Sequence, residues 1–155
     1  MVLLYLRYGV YDSPIPATFL RSAPPIIAQT SPTALFSSPA FHSFGPEECL
    51  TTVITSEIGQ GTTGVVHRGT LEPEICDGAM PLDVVVKLAF RSEQQDALRN
   101  EYEVYRHLKS KGVHQGIATV LGIFDDSEGC ACALVSLYAG VSLSDSEDTL
   151  SEIDW

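Results

Sequence analysis

Three glycines, one lysine and one glutamate carry the chemistry that is legible in this sequence. Gly59, Gly61 and Gly64 have the spacing G-x-G-x-x-G, within the run Ile58-Gly59-Gln60-Gly61-Thr62-Thr63-Gly64-Val65-Val66. Without side chains, glycines let a main chain bring its N–H groups close to an anion. Lys87 ends the run Val84-Val85-Val86. An ammonium at the end of a rigid apolar strand can pair with phosphate oxygens. It needs a carboxylate to hold it, because an unpaired charge in a core is costly. Glu101 is the candidate carboxylate. It follows Leu98 by three residues and precedes Tyr105 by four, on the apolar side of a helical pattern, while Glu103 points elsewhere. Each feature also has an ordinary reading: a glycine-rich hairpin, a strand-edge lysine reaching water, a solvated helix charge.

The segment after the glycines separates two chemistries. Dinucleotide-binding loops end a strand and open a helix, with an acidic residue about 20 positions on. Asp83 stands 19 residues after Gly64, which fits that spacing. The run Val65-Val66-His67-Arg68-Gly69-Thr70-Leu71-Glu72-Pro73 does not fit a helix. It is rich in β-branched residues, holds a glycine and a proline, and has no amphipathic period, so it reads as a strand. A strand here disfavours a dinucleotide-dependent oxidoreductase, and a helix would restore it. Strand–glycine turn–strand is the arrangement of a hairpin that covers phosphates.

The elements that must position these residues follow from local pattern. Leu50 to Ile58, Val65 to Leu71, Asp83 to Phe90, Ile117 to Phe124 and Cys130 to Tyr138 read as strands. The three consecutive valines of the third suit a strand buried on both faces. Ser92 is positioned to cap a helix, with Gln95 completing a capping box. Leu98, Tyr102, Tyr105 and Leu108 recur at helical spacing, and Gly112 is the stop. Residues 71–81, with Pro73, Gly78 and Pro81, read as a loop. Residues 1–48 hold seven of the nine prolines and read as a disordered leader, although Val2 to Val10 has the composition of a short strand. Residues 144–155 form an acidic tail.

In this order the motifs resemble the protein kinase family. The loop extends to G-x-G-x-x-G-x-V with Val66 last, and Val84-Val85-Val86-Lys87 looks like the family's V-A-I-K. Glu101 followed seven residues later by Leu108 resembles the family's helix signature. Residues 116–124 and 133–143 resemble its fourth strand and its fifth strand with hinge. The resemblance implies an ATP-binding small lobe over residues 50–143. The expected fold is α+β: a five-stranded antiparallel sheet with one packed helix, preceded by the disordered arm. It implies a Lys87–Glu101 ion pair. ATP would be held by the loop from Ile58 to Gly64, Val66, Val85, Lys87 and main-chain groups near Leu137 and Ala139.

The pattern departs from the family in several places. Val85 takes the alanine position, and Ser136 falls at the small gatekeeper position. H-R-D and D-F-G are absent, so no catalytic base and no metal ligand can be assigned. Magnesium is expected only if a second lobe completes the site, and the chain ends at Trp155, about where such a lobe begins. The expectation is therefore an ATP-binding lobe that is catalytically incomplete as this chain. The alternative is a non-catalytic kinase-like module that binds a protein partner through an exposed face.

Composition bounds the rest. The net charge of −11 argues against nucleic acid as a partner. Of Cys49, Cys76, Cys130 and Cys132, only the last two are close, so no zinc site is expected and the thiols read as free in a reducing compartment. No apolar run is long enough for a membrane span or signal core, which makes an intracellular, cytoplasmic protein the expectation.

Overall fold

A computed structural model of the chain describes residues 3–8, 18–26, 49–72, 80–113 and 115–140. The acidic tail, most of the loop between residues 71 and 81, and residues 9–17 and 27–48 of the leader lie outside this set. Among the described residues, seven strands and one helix follow in chain order: β1 (Leu3–Tyr8), β2 (Thr18–Ala23), β3 (Cys49–Gly61), β4 (Gly64–Glu72), β5 (Leu82–Ala89), α1 (Ser92–Ser110), β6 (Val120–Asp126) and β7 (Cys132–Leu137).

The strands close into a barrel in the order β1-β2-β6-β7-β5-β4-β3. This corrects the five-stranded sheet with a disordered arm. The strands expected from β3 onward are present, but two strands from the leader pair with both of their outer edges. β1 runs parallel to β3, from Leu3 opposite Cys49 to Tyr8 opposite Ile54. β2 runs antiparallel to β1 and to β6. The physical reason lies in where the prolines stand. Leu3–Tyr8 and Thr18–Ala23 contain none: the first falls within Val2 to Val10, whose composition suits a short strand, and proline density averaged over 48 residues concealed the second. Closure removes the free edges that an open sheet would present.

Alternation explains why closure is favourable. Leu4 and Leu6 of β1 and Phe19 of β2 are fully or almost fully buried, while Tyr5 and Arg7 are exposed. The buried three pack in one cluster with Leu50, Ile54, Leu71, Val84, Val86, Leu88, Phe124 and Val135, the inner face of the remaining strands. Burying three such side chains stabilises by about 5–9 kcal/mol as an upper bound. That is comparable to the whole net stability of a typical domain. At the β2–β6 seam, Gly122 has φ of +149°, and a Cβ there would lie 2.9 Å from the Ala23 carbonyl oxygen, so the two backbones can meet only over a glycine.

The helix covers the outside of the barrel. Leu98 and Tyr102 pack with Ala89, Val120, Ile123, Cys132, Leu134 and Ile26 in a second cluster. The Tyr102 hydroxyl donates to the Pro24 carbonyl at 2.8 Å. Arg99 donates to both carboxylate oxygens of Asp125, at 3.2 and 2.6 Å. The helix starts one residue earlier than the capping pattern suggested. Arg91 is the cap, and its N–H donates to Gln94 Oε1 at 3.3 Å. Gln94 therefore plays the reciprocal role expected of Gln95. Gly112 follows the last turn with φ of +78°. Among the described residues no helix is long and apolar enough to cross a membrane.

Candidate functional site

Strand register decides which side chains share the outer face. Val84, Val86 and Leu88 point into the barrel, so Val85 and Lys87 point outward. Val66 stands opposite Lys87, and Arg68 opposite Val85. Lys87 and Val85 are in turn opposite Leu134 and Ser136. Gly59 is opposite Val66. Gly59, Val66, Lys87 and Leu134 therefore form one row across four strands, each step about 4.8 Å. Arg68, Val85 and Ser136 form the next. Of the three valines expected to be buried on both faces, only Val85 belongs to this outer face, and it is partly exposed.

Helix α1 lies against the same face and supplies the acidic partner. Lys87 Nζ is 2.5 Å from Glu101 Oε1, with the two side chains 26% and 22% exposed. Glu103 points away and pairs with Arg106. The sequence signal for Glu101 was its place in the apolar stripe, and the stripe docks as that period requires.

The glycines differ in what the fold asks of them. Gly64 has φ of +126°, and a Cβ there would lie 2.0 Å from the Leu88 carbonyl oxygen, so the backbone of β5 excludes any side chain. Gly59 and Gly61 have no positive φ, and a Cβ at either would meet nothing within 4 Å. Neither is required by the chain's own packing. Both end β3 at the two-residue turn Thr62-Thr63, where Gly61 pairs with Gly64. Ile58, just before them, is 49% exposed, an apolar side chain uncovered beside the row. Gln60 and Thr62 are exposed.

The main chain near Leu137 and Ala139, expected to meet a nucleotide base, differs from expectation. The Leu137 amide donates to the Thr119 carbonyl at 2.9 Å, and the Tyr138 amide to the Asp83 carbonyl at 2.9 Å. The Leu137 N–H is therefore committed within the fold, and Ala139, which is exposed, is the remaining candidate amide of the stretch. Sequence reasoning missed Arg68, whose guanidinium donates to Asp83 at 2.9 Å and lies 4.2 Å from the centroid of the Tyr138 ring. No local pattern joins residues 68, 83 and 138, and only the register of β4, β5 and β7 does. Asp83, the acidic residue at dinucleotide spacing, is spent in that pair. Gly64 begins a strand rather than a helix, which excludes the dinucleotide-binding arrangement.

The other chemically notable groups lie elsewhere. Burial raises the Asp125 carboxyl, but its hydrogen bonds and the charge of Arg99 outweigh this and hold it below the usual range. Asp126 accepts from the Cys130 amide at 3.3 Å. Among the described residues no cluster of three His, Cys, Asp or Glu side chains is placed to hold a metal. His67 points into the barrel, where burial lowers its pKa despite the nearby charge of Glu57. Its Nδ1 has no hydrogen-bond partner among the described residues.

The outer face thus presents one ammonium held by one carboxylate, an apolar strip and an uncovered glycine-rich hairpin. No protein-family model, no curated protein and no solved structure matches the chain.

Proposed function

We propose that the chain binds ATP on the outer face of its barrel, as the resemblance to protein kinases implies for these residues. The polyphosphate sits against Lys87 and the N–H groups of the hairpin from Gly59 to Gly64. The base lies over Val66 and Val85, with Ile58 beside it and the main chain near Ala139 at its edge. The observation that supports this most is the pair Gly59 and Gly61. Gly59 begins the row that carries Val66 and Lys87, Gly61 lies two residues further on opposite Gly64, and nothing in the packing of the described residues requires a glycine at either position. A close approach by something outside the fold accounts for them. Lys87 contributes one of its three N–H donors to Glu101, which leaves two for phosphate oxygens.

The proposed activity is binding and orientation, not transfer, because H-R-D and D-F-G do not occur in the sequence. An open face buries little ligand surface, so affinity is expected to be weak, on the order of 1 mM. The test is a titration of the full chain with MgATP followed by amide NMR. Saturable shifts at Gly59, Gly61 and Val66 are expected in the wild type. Lys87→Ala should weaken them at least tenfold, and Gly61→Val should abolish them while keeping the native spectrum. Absence of saturable shifts up to about 10 mM MgATP, or unchanged binding by Gly61→Val, would defeat the proposal.

A further inference from the structure

The Lys87–Glu101 pair has a third member. Tyr105 lies one helical turn after Glu101, and its hydroxyl donates to Glu101 Oε1 at 3.3 Å. Lys87 Nζ donates to the same oxygen at 2.5 Å. One oxygen therefore carries both donors. Tyr105 packs against the helix–barrel cluster, so its ring is anchored independently of the ion pair. Burial first, and then the Glu101 charge and hydrogen bond, push the Tyr105 phenol above its ordinary range, so the hydroxyl remains a donor across neutral pH.

We propose that Tyr105 is a positioning residue whose hydroxyl holds the Glu101 carboxylate turned toward Lys87. Without a second tether, a partly exposed glutamate on a helix has several staggered rotamers, some of which lead to water. A phosphate-bearing ligand sharpens the demand, because it attracts the ammonium and repels the carboxylate. The Tyr105 bond opposes the swing of Glu101 away from the pair. The effect on ligand binding rests on the ATP reading above, whereas the effect on the pair does not.

The experiment uses the full chain and reads the Lys87 side-chain ammonium resonance by ¹H–¹⁵N NMR. Glu101→Gln supplies the spectrum of the unpaired ammonium. Tyr105→Phe removes only the hydroxyl and should move the Lys87 resonance at least halfway toward that reference. It should also weaken MgATP binding about three- to tenfold, the range of one ordinary intramolecular hydrogen bond. A Lys87 resonance unchanged in Tyr105→Phe overturns the proposal. If the wild type fails to bind MgATP, the nucleotide reading falls, and the ammonium resonance still decides the role of Tyr105. If Tyr105→Phe does not fold, the ¹³Cζ shift of Tyr105 in wild type and Glu101→Gln decides it. A change supports the hydrogen bond, and identical shifts refute it.

Discussion

The Tyr102 hydroxyl is bonded to the carbonyl of Pro24, so the N-terminal segment grips the helix that carries Glu101. The grip has a second point just beyond. Ile26 exchanges backbone hydrogen bonds with Val120, at 2.7 and 2.9 Å, and packs against Leu98 and Tyr102. The helix is therefore held between the barrel wall and a stretch of chain that precedes the barrel's main strands. Tyr102→Phe should lower stability by about 1 kcal/mol, the net value of one hydrogen bond. Deleting residues 1–26 should leave no cooperative transition, because it uncovers the inner face at both edges. Urea denaturation followed by circular dichroism checks both, and a cooperative melt of the deletion would contradict the barrel closure.

The glycines should separate by stability. Gly64→Ala places a Cβ against the β5 backbone at a left-handed φ and should cost about 2–4 kcal/mol. Gly61→Ala should change stability by no more than about 1 kcal/mol in either direction, since it adds a methyl to open space and stiffens the unfolded chain. Thermal melts of the two variants at one pH are sufficient. Equal losses would mean that the hairpin's glycines serve one structural purpose.

His67 predicts a pH dependence of definite sign. Its pKa is lowered in the folded state, chiefly by burial, from an ordinary 6.5. Between the folded and unfolded values the unfolded chain binds more protons. Stability is therefore full above pH 6.5 and declines as the pH falls below it, at most about 1.4 kcal/mol per pH unit for one group. Unfolding free energies at pH 7.5 and 5.5 should differ in that direction. His67→Leu should flatten the difference. This window lies above the range in which Asp125, held low by Arg99, takes up a proton.

Cys130 and Cys132 should differ sharply in reactivity although they are two residues apart. Cys132 is fully buried, and burial first, then the charge of Asp125, push its thiol up to about 12. Cys130 is exposed in the β6–β7 turn. Iodoacetamide at pH 8 on the native protein, followed by peptide mapping, should label Cys130 and spare Cys132. Labelling of both at similar rates would show that the second cluster opens readily.

What the sequence determined by itself was local. The helix, the glycine turn and the strands from β3 onward each carry their own period or turn chemistry within a dozen residues. The inward face of Glu101 follows from 3.6-residue spacing alone. The closure of the barrel was not local. β1 pairs with β3 across the proline-bearing leader, and although Val2 to Val10 has strand composition, its choice of partner is specified by the apolar face it covers and not by any signal near Leu3 or Cys49. The same reason hid the bonds of Arg99 to Asp125, Arg68 to Asp83 and Tyr138, and Leu137 to Thr119. Their partners stand on different strands or on the helix, and only the register of a closed sheet brings them within reach.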